Sequence, residues 1–252
     1  MPDISLVVMT YNEEHNIERC IDSAATVVEE ILVVDSFSTD NTVALAEAKG
    51  ARVIQHPFTG YKEQRAYTIS QAKHDYVLVL DADEALDDRL RESIAKAKNN
   101  WTHECYHMNR MSNIEERWIK HGGWYPDRKM RLFHKEKYQT AGTNPHDKIV
   151  PQSGYPLGYL KGDILHYTNS SIEDRIATVN QFSSIAAQAF YEKGKRGNLA
   201  RILFKPGLRF ISEYLLQRGF LDGLFGLIIA KTSAQYVFYR EIKLYLLNKK
   251  QK

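Results

Sequence analysis

Asp75-Tyr76-Val77-Leu78-Val79-Leu80-Asp81-Ala82-Asp83-Glu84 decides how the rest of the chain is read. Five consecutive apolar, mostly branched residues spell a strand buried on both faces, as in the middle of a parallel sheet. Three acids, Asp81, Asp83 and Glu84, stand at its carboxyl end. Open α/β sheets bind ligands just beyond the carboxyl ends of their strands. Clustered carboxylates repel unless a proton or cation neutralises them, and hard oxygens suit Mg²⁺ or Mn²⁺. Such a cation takes one or two carboxylates and fills its shell with phosphate and water. The competing reading is that Asp83 and Glu84 only open the next helix, with Asp87 and Asp88 as first-turn acids.

Working towards the N-terminus, Ile4–Met9, Glu30–Asp35 and Ala51–Gln55 read as three further short strands. Asn12 is expected to cap the helix after the first, with Glu13 and Glu14 in its opening turn. A helix through Val43, Leu45 and Ala46 follows the second strand, and Gly50 stops it. Strands alternating with helices of about a dozen residues mean βαβ units. The four strands run out into Asn12, Asp35, His56 and Asp81, a row of polar ends suited to a nucleotide crevice. No G-x-G-x-x-G or Walker loop follows the first strand, which argues against a Rossmann dehydrogenase or a P-loop kinase. Lys62 and Arg65, three apart in Gly60-Tyr61-Lys62-Glu63-Gln64-Arg65, share a helix face from which they could reach a diphosphate.

Four stretches in order, Ser-Leu-Val-Val-Met-Thr-Tyr-Asn-Glu-Glu (5–14), Val-Val-Asp-Ser-Phe-Ser-Thr-Asp-Asn-Thr (33–42), Gly-Tyr-Lys-Glu-Gln-Arg (60–65) and Leu-Asp-Ala-Asp-Glu (80–84), resemble a family 2 glycosyltransferase of the GT-A fold. More narrowly, the chain is similar to lipopolysaccharide-core β-1,4-glucosyltransferases. His121-Gly122-Gly123-Trp124-Tyr125-Pro126-Asp127-Arg128-Lys129-Met130-Arg131-Leu132-Phe133 and Gly219-Phe220-Leu221-Asp222-Gly223 carry that narrower likeness. The resemblance implies an α/β fold with an open mixed sheet flanked by helices, extended by a helical C-terminal region. It implies that Thr10, Asn12, Glu13 and Asp35 line the nucleotide, that Asp81 stands on the ribose side and that Asp83 holds the metal. His166, ending the strand Gly162-Asp163-Ile164-Leu165-His166, matches the late histidine that completes the metal shell in many GT-A enzymes; otherwise it is a hydrogen-bonded structural residue.

An inverting transfer needs a carboxylate to take the proton of the acceptor hydroxyl. Asp127 is the candidate, with Asp147 in Asn144-Pro145-His146-Asp147 as competitor. Relatives often read His-Glu there, so His146-Asp147 is shorter by one methylene. Arg128 and Arg131 either bind the leaving phosphate, offsetting charge that builds in the transition state, or pair with Asp127. Trp118, Trp124 and Tyr125 form a loop that can stack on a sugar ring or belong to the core.

After the acids, Ala85–Lys98 reads as a helix, and from Ile172 onward the chain reads as helical. Ser170 or Ser171 caps the first of these late helices, and Val179, Phe182, Ile185, Ala186 and Phe190 form its inner face. A Pro206-Gly207 break is expected between Leu199–Lys205 and Leu208–Leu216. This sets a catalytic domain at 1–170, with a nucleotide-binding half (1–100) and an acceptor-side half (101–170), and a helical region at 171–252.

At 252 residues, with 43% hydrophobic and 26% charged, the composition is that of a folded chain. Its two cysteines form no framework, so a reduced cytoplasmic setting is expected. The opening lacks a signal-peptide pattern, and no apolar run approaches the roughly 20 residues that span a bilayer. The net charge of +3 hides an imbalance: residues 195–252 carry twelve Lys or Arg against three acids. A basic, aromatic tail beside an acidic body points to an anionic surface as partner. The resemblance implies that this is a membrane reached from the cytoplasmic side of the inner membrane.

The expectation is therefore an inverting, Mg²⁺- or Mn²⁺-dependent transferase moving a hexose from a UDP-sugar to a lipopolysaccharide inner-core saccharide or another lipid-linked acceptor. No nucleic acid is expected as partner. A nucleotidyltransferase would need a basic Gly-rich loop where Thr10–Glu14 is acidic. A non-catalytic membrane adaptor would show no turnover.

Overall fold

The computed structural model describes residues 1–141, 148–168 and 171–249. Strand β1 (Ile4–Thr10) lies between β2 (Glu30–Asp35) and β4 (Tyr76–Asp81), and β3 (Arg52–Gln55) flanks β2, all parallel. The register sets Thr10 opposite Asp35, Asp35 opposite Gln55, and Met9 opposite Asp81, so the polar strand ends share one edge. Helices α1 (Ile17–Ala24), α2 (Thr42–Ala48) and α3 (Tyr61–Ser70) make the connections.

The sheet continues with β5 (Glu84–Leu86), β6 (Cys105–Ile114), β8 (Asp127–His134) and β11 (Leu157–His166), in the order β3-β2-β1-β4-β8-β6-β11-β5. The pairs β4–β8, β6–β8 and β11–β5 are antiparallel. Helix α4 is Asp88–Asn99; a two-residue strand β7 (Arg117–Trp118) follows β6, and β9 (Tyr138–Ala141) pairs with β10 (Lys148–Pro151). As the apolar run predicts, β4 is buried on both faces. Leu78 and Leu80 pack with Ile17 and Ile21 of α1 and with Leu90 and Ile94 of α4. Val77 and Val79 pack with Ile69 of α3 and with Phe133.

Two compact units result: residues 1–110 with 127–167, and residues 111–126 with 168–252. In the second, α5 (Ile172–Glu192), α6 (Leu199–Ile211) and α7 (Gly223–Lys249) pack together, with α7 against both others. Ser171 caps α5: its hydroxyl accepts from Asp174 N at 3.1 Å, while its own N–H donates to the Asp174 carboxylate at 3.0 Å. Trp124 packs on Ile114, Ile119 and Ile229, and Arg175 lies 5.1 Å over its ring, so this aromatic belongs to the core of the second unit. Asp222 accepts from the backbone N–H groups of Lys120 (3.1 Å) and His121 (2.8 Å), joining the two motifs that carry the narrower resemblance. Among the described residues, no helix is long and apolar enough to cross a membrane.

Several local expectations are corrected. The helix after β1 starts at Ile17. Asn12 instead adopts φ 55° and accepts from Thr39 N at 2.8 Å, tying its side chain to the loop after β2. The stretch from Glu84 to Leu86 is a strand, because β11 supplies a partner, and α4 begins only at Asp88 behind the capping Asp87. Gly162, at φ +117°, lets β11 pass that cap; a Cβ there would come within 2.3 Å of Leu90 N. Ile185 is exposed, since α5 buries Val179, Ser183 and Ala187 at steps of four. Pro206 lies inside α6 without ending it.

Candidate active site

The site is built on the common edge of β1, β2 and β4. Asp35 is buried, and its carboxylate accepts from Ser38 N at 2.9 Å and from the Ser38 hydroxyl. Ser38 in turn accepts from Asn12 N at 2.8 Å. Thus Asp35 and Asn12 brace two loops against each other at the strand ends. The Thr10 hydroxyl is buried beside them with no hydrogen-bond partner, a group that a bound molecule could satisfy. Glu13 donates its N–H to Thr42 Oγ1 at 2.7 Å and accepts from Asn16 at 2.7 Å. Burial pushes the Glu13 carboxyl up; Asn16 counters this, while the charges of Asp83 and Asp40 add to it.

The acids that close β4 have separate fates. Arg131, itself buried, gives one guanidinium nitrogen to Asp81 and to Glu84, each at 2.8 Å. Burial alone would raise the Asp81 carboxyl, but the charges of Arg131, Arg65 and Arg110 outweigh it and hold the group far below the usual carboxylate range. Glu84 is fully buried; it also accepts from Asp81 N at 3.1 Å and from Arg110 at 3.3 Å. Asp83 is different. The pairing of β5 with β11 sets His166 opposite Glu84, and His166 Nε2 comes 3.1 Å from Asp83 Oδ2. Both side chains keep part of their surface open to solvent.

Asp127 stands opposite Arg110 in the β6–β8 register. Arg110 contacts its carboxylate through Nε at 3.1 Å and Nη2 at 2.9 Å, and Lys129 Nζ lies 3.1 Å from the other oxygen. Burial pulls the Lys129 ammonium below its ordinary value, with Arg110 adding to the effect and Asp127 opposing it. A chain of alternating charge therefore runs Asp81–Arg131–Glu84–Arg110–Asp127–Lys129.

The structure brings together Thr10, Asn12, Glu13 and Asp35 on one side and Asp81, Asp83, Asp127, Arg131 and His166 on the other. Arg65 is within electrostatic reach of Asp81, while Lys62 lies exposed in the first turn of α3. Arg128 is not brought to the acids: strand alternation turns it to the opposite face, 6.0 Å from the Tyr159 ring. His146 and Asp147 lie outside the described residues. Arg110 and Lys129 are the site residues that sequence reasoning missed. The two-residue spacing of Asp127, Lys129 and Arg131 carried a signal for Lys129; nothing local carried one for Arg110.

A parallel half-sheet ending in carboxylates, continued by antiparallel strands that add an arginine, an aspartate and a histidine, is the architecture of a GT-A enzyme. The family model described as Glycosyl transferase family 2 matches residues 5–162, and the chain belongs to that family. An uncharacterized glycosyltransferase of Rickettsia felis is 30% identical over 254 residues, spanning 97% of this chain and 90% of that protein. The lipopolysaccharide core biosynthesis glycosyltransferase LpsC of Rhizobium meliloti is 28% identical over 260 residues, 96% of this chain and 92% of that one. Among solved structures, glucosyl-3-phosphoglycerate synthase of Mycobacterium tuberculosis with Mn²⁺, UDP and glucosyl-3-phosphoglycerate is 26% identical at a TM-score of 0.37. That match covers 46% of this chain and less than half (45%) of the synthase chain.

Proposed function

We propose that this glycosyltransferase is an inverting, metal-dependent enzyme that moves a hexose, glucose by its resemblance, from a UDP-sugar to a lipopolysaccharide inner-core saccharide or a similar lipid-linked acceptor. The observation that carries the reading is the 3.1 Å approach of His166 to Asp83 at the strand-end edge. A carboxylate and an imidazole fit a divalent cation, and their partial exposure leaves its other positions to phosphate and water. Among the described residues no group of three or more His, Cys, Asp or Glu is gathered that could hold a metal ion by itself, so the reading rests on the Asp83–His166 pair with phosphate completing the shell. Bound there, the cation would offset the negative charge that grows on the departing diphosphate.

The protein residues divide the remaining work. Asp35, Asn12, Glu13 and the unsatisfied Thr10 hydroxyl line the uridine end, with Asp81 on the ribose side. Arg65 and Lys62 lie towards the diphosphate, and Arg131 fixes Asp81 and Glu84 so that Asp83 alone of the three is left to the metal. Asp127, held in place by Arg110 and Lys129, accepts the proton of the acceptor hydroxyl as its oxygen attacks the anomeric carbon. Residues 1–170 are the catalytic domain in this reading, and 171–252 a basic helical region that works at the cytoplasmic face of the membrane. The relative in Rhizobium meliloti, named for lipopolysaccharide core biosynthesis, supports this class of acceptor.

The test is calorimetric titration of UDP into the purified protein with and without Mn²⁺, together with UDP release from UDP-glucose. Mn²⁺-dependent UDP binding that Asp83→Ala removes is the expected outcome. UDP binding that is absent, or indifferent to both metal and substitution, would sink the proposal.

A further inference from the structure

Phe204, Leu208, Ile211 and Leu215 recur at steps of four, three and four residues along α6 and the π-helical turn Ser212–Leu216 that continues it. That spacing lays them in one stripe. In an ordinary surface helix such a stripe faces the core, yet Phe204 is 68% exposed, Leu208 65% and neighbouring Leu203 71%. The inner side of α6 is marked instead by Ile202, which is buried, and by Lys205, which reaches Glu241 on α7 at 3.0 Å. The helix is therefore docked by its other side, and its apolar stripe is turned outward.

The charges around this stripe have one sign. From Lys193 to Arg218 the chain carries seven Lys or Arg and a single acid, the buried Glu213. Lys193, Lys195, Arg196 and Arg201 are exposed around the start of α6, and Arg218 is exposed beyond its end. A partner must therefore be apolar beneath and anionic at its surface. A second copy of this chain meets only the first condition: a symmetric pairing through α6 would set like charges against each other.

We infer that the outward face of α6 and its π-helical extension is a docking surface for a bilayer carrying anionic headgroups. Phe204, Leu208, Ile211 and Leu215 enter the boundary between headgroups and acyl chains, and the flanking cations rest on the lipid phosphates. The helix lies in the plane of the membrane: the 13 residues of α6 extend about 20 Å, short of the roughly 30 Å hydrocarbon core. This deepens the reading of a lipid-linked acceptor by naming the surface that holds the enzyme beside it.

The test is flotation of the whole chain with vesicles of phosphatidylglycerol mixed with phosphatidylcholine, and with vesicles of phosphatidylcholine alone. The wild type is expected to bind the mixed vesicles far better, and to lose that preference in high salt. Phe204→Glu with Leu208→Glu should cut partitioning by about tenfold or more, as two buried apolar side chains are withdrawn from lipid. Arg196→Glu with Arg201→Glu should remove most of the preference for anionic vesicles. Circular dichroism and thermal midpoints unchanged in all variants show that they are folded, and UDP binding measured beside them keeps this result separate from the donor reading. Equal flotation of wild type and variants would overturn the inference. So would a wild-type dimer, seen by mass photometry, that the Phe204/Leu208 variant dissolves while vesicles bind neither.

Discussion

His166 Nε2 lies 3.1 Å from Asp83 Oδ2, across the short antiparallel pairing of β5 with β11. Two residues more than eighty positions apart in the chain thus meet in one hydrogen bond. Asp83→Ala is expected to lower Mn²⁺-dependent UDP affinity by at least about 100-fold, more than the loss of a mere outer-shell partner. His166→Ala should lower it by about 10-fold to 100-fold. Metal titrations followed by UDP binding measure both. If His166→Ala left metal affinity intact while lowering stability, the histidine would be a hydrogen-bonded structural residue.

Asp127 gives a sharper test of the chemistry. Asp127→Asn keeps the shape and the hydrogen bonding to Arg110 but cannot take a proton. Transfer to acceptor should fall by about 10² to 10⁴-fold while UDP-sugar binding stays unchanged. Single-turnover transfer, with donor affinity measured beside it, reads the two separately. A variant that still transfers at the wild-type rate would move the base elsewhere, with Asp147 as the next residue to substitute.

How much of this site was legible in the sequence depends on how local each determinant is. The burial of β4 on both faces was legible, because Val77–Leu80 is apolar without interruption and needs no distant partner to be read. So were the polar strand ends, read at Asn12, Asp35, His56 and Asp81; the parallel register sets Asp35 opposite Thr10 and Asp81 opposite Met9. The opposition of Arg110 to Asp127 was not, since it depends on a β6–β8 register that shifts between Tyr106 and His107. Glu84 misled for a related reason: three residues form a strand only because β11 arrives beside them, and no local pattern announces that. Asn12 was read as a helix cap from its residue type, but its left-handed backbone and its bond to Thr39 reserve it for the loop.

Arg131 is the joint between Asp81 and Glu84, and its removal would leave a fully buried glutamate with Arg110 as its remaining cation. Breaking a buried pair from one side costs about 3–5 kcal/mol. Arg131→Met should therefore lower the thermal midpoint by roughly 10 °C, at 2–4 °C for each kcal/mol in a chain of this size. Glu84→Gln in the same chain removes the stranded charge, so the double variant should be more stable than Arg131→Met alone. A double variant that is simply the sum of two losses would mean that the two residues are not coupled.

In the second unit, Glu241 of α7 is buried and its Oε1 takes Lys205 Nζ at 3.0 Å and Arg240 at 2.9 Å. Burial works to raise this carboxyl, yet the hydrogen bonds and charges of Lys205 and Arg240 prevail and hold it below its ordinary value. A carboxyl depressed in the folded state adds stability that is fully present above its unfolded pKa of about 4.3 and lost as pH falls through the folded value. Glu241→Gln should accordingly cost about 2 kcal/mol at pH 7, below the roughly 3–5 kcal/mol of a fully buried pair because both cations keep contact with water. The gap between wild type and variant should stay level down to about pH 5 and then close as acid protonates Glu241 in both folded and unfolded chains. Urea denaturation of the two proteins across that range measures it. A gap that persisted undiminished at the acid end would mean that Glu241 acts through packing alone, and that its charge contributes nothing to how α6 is held on α7.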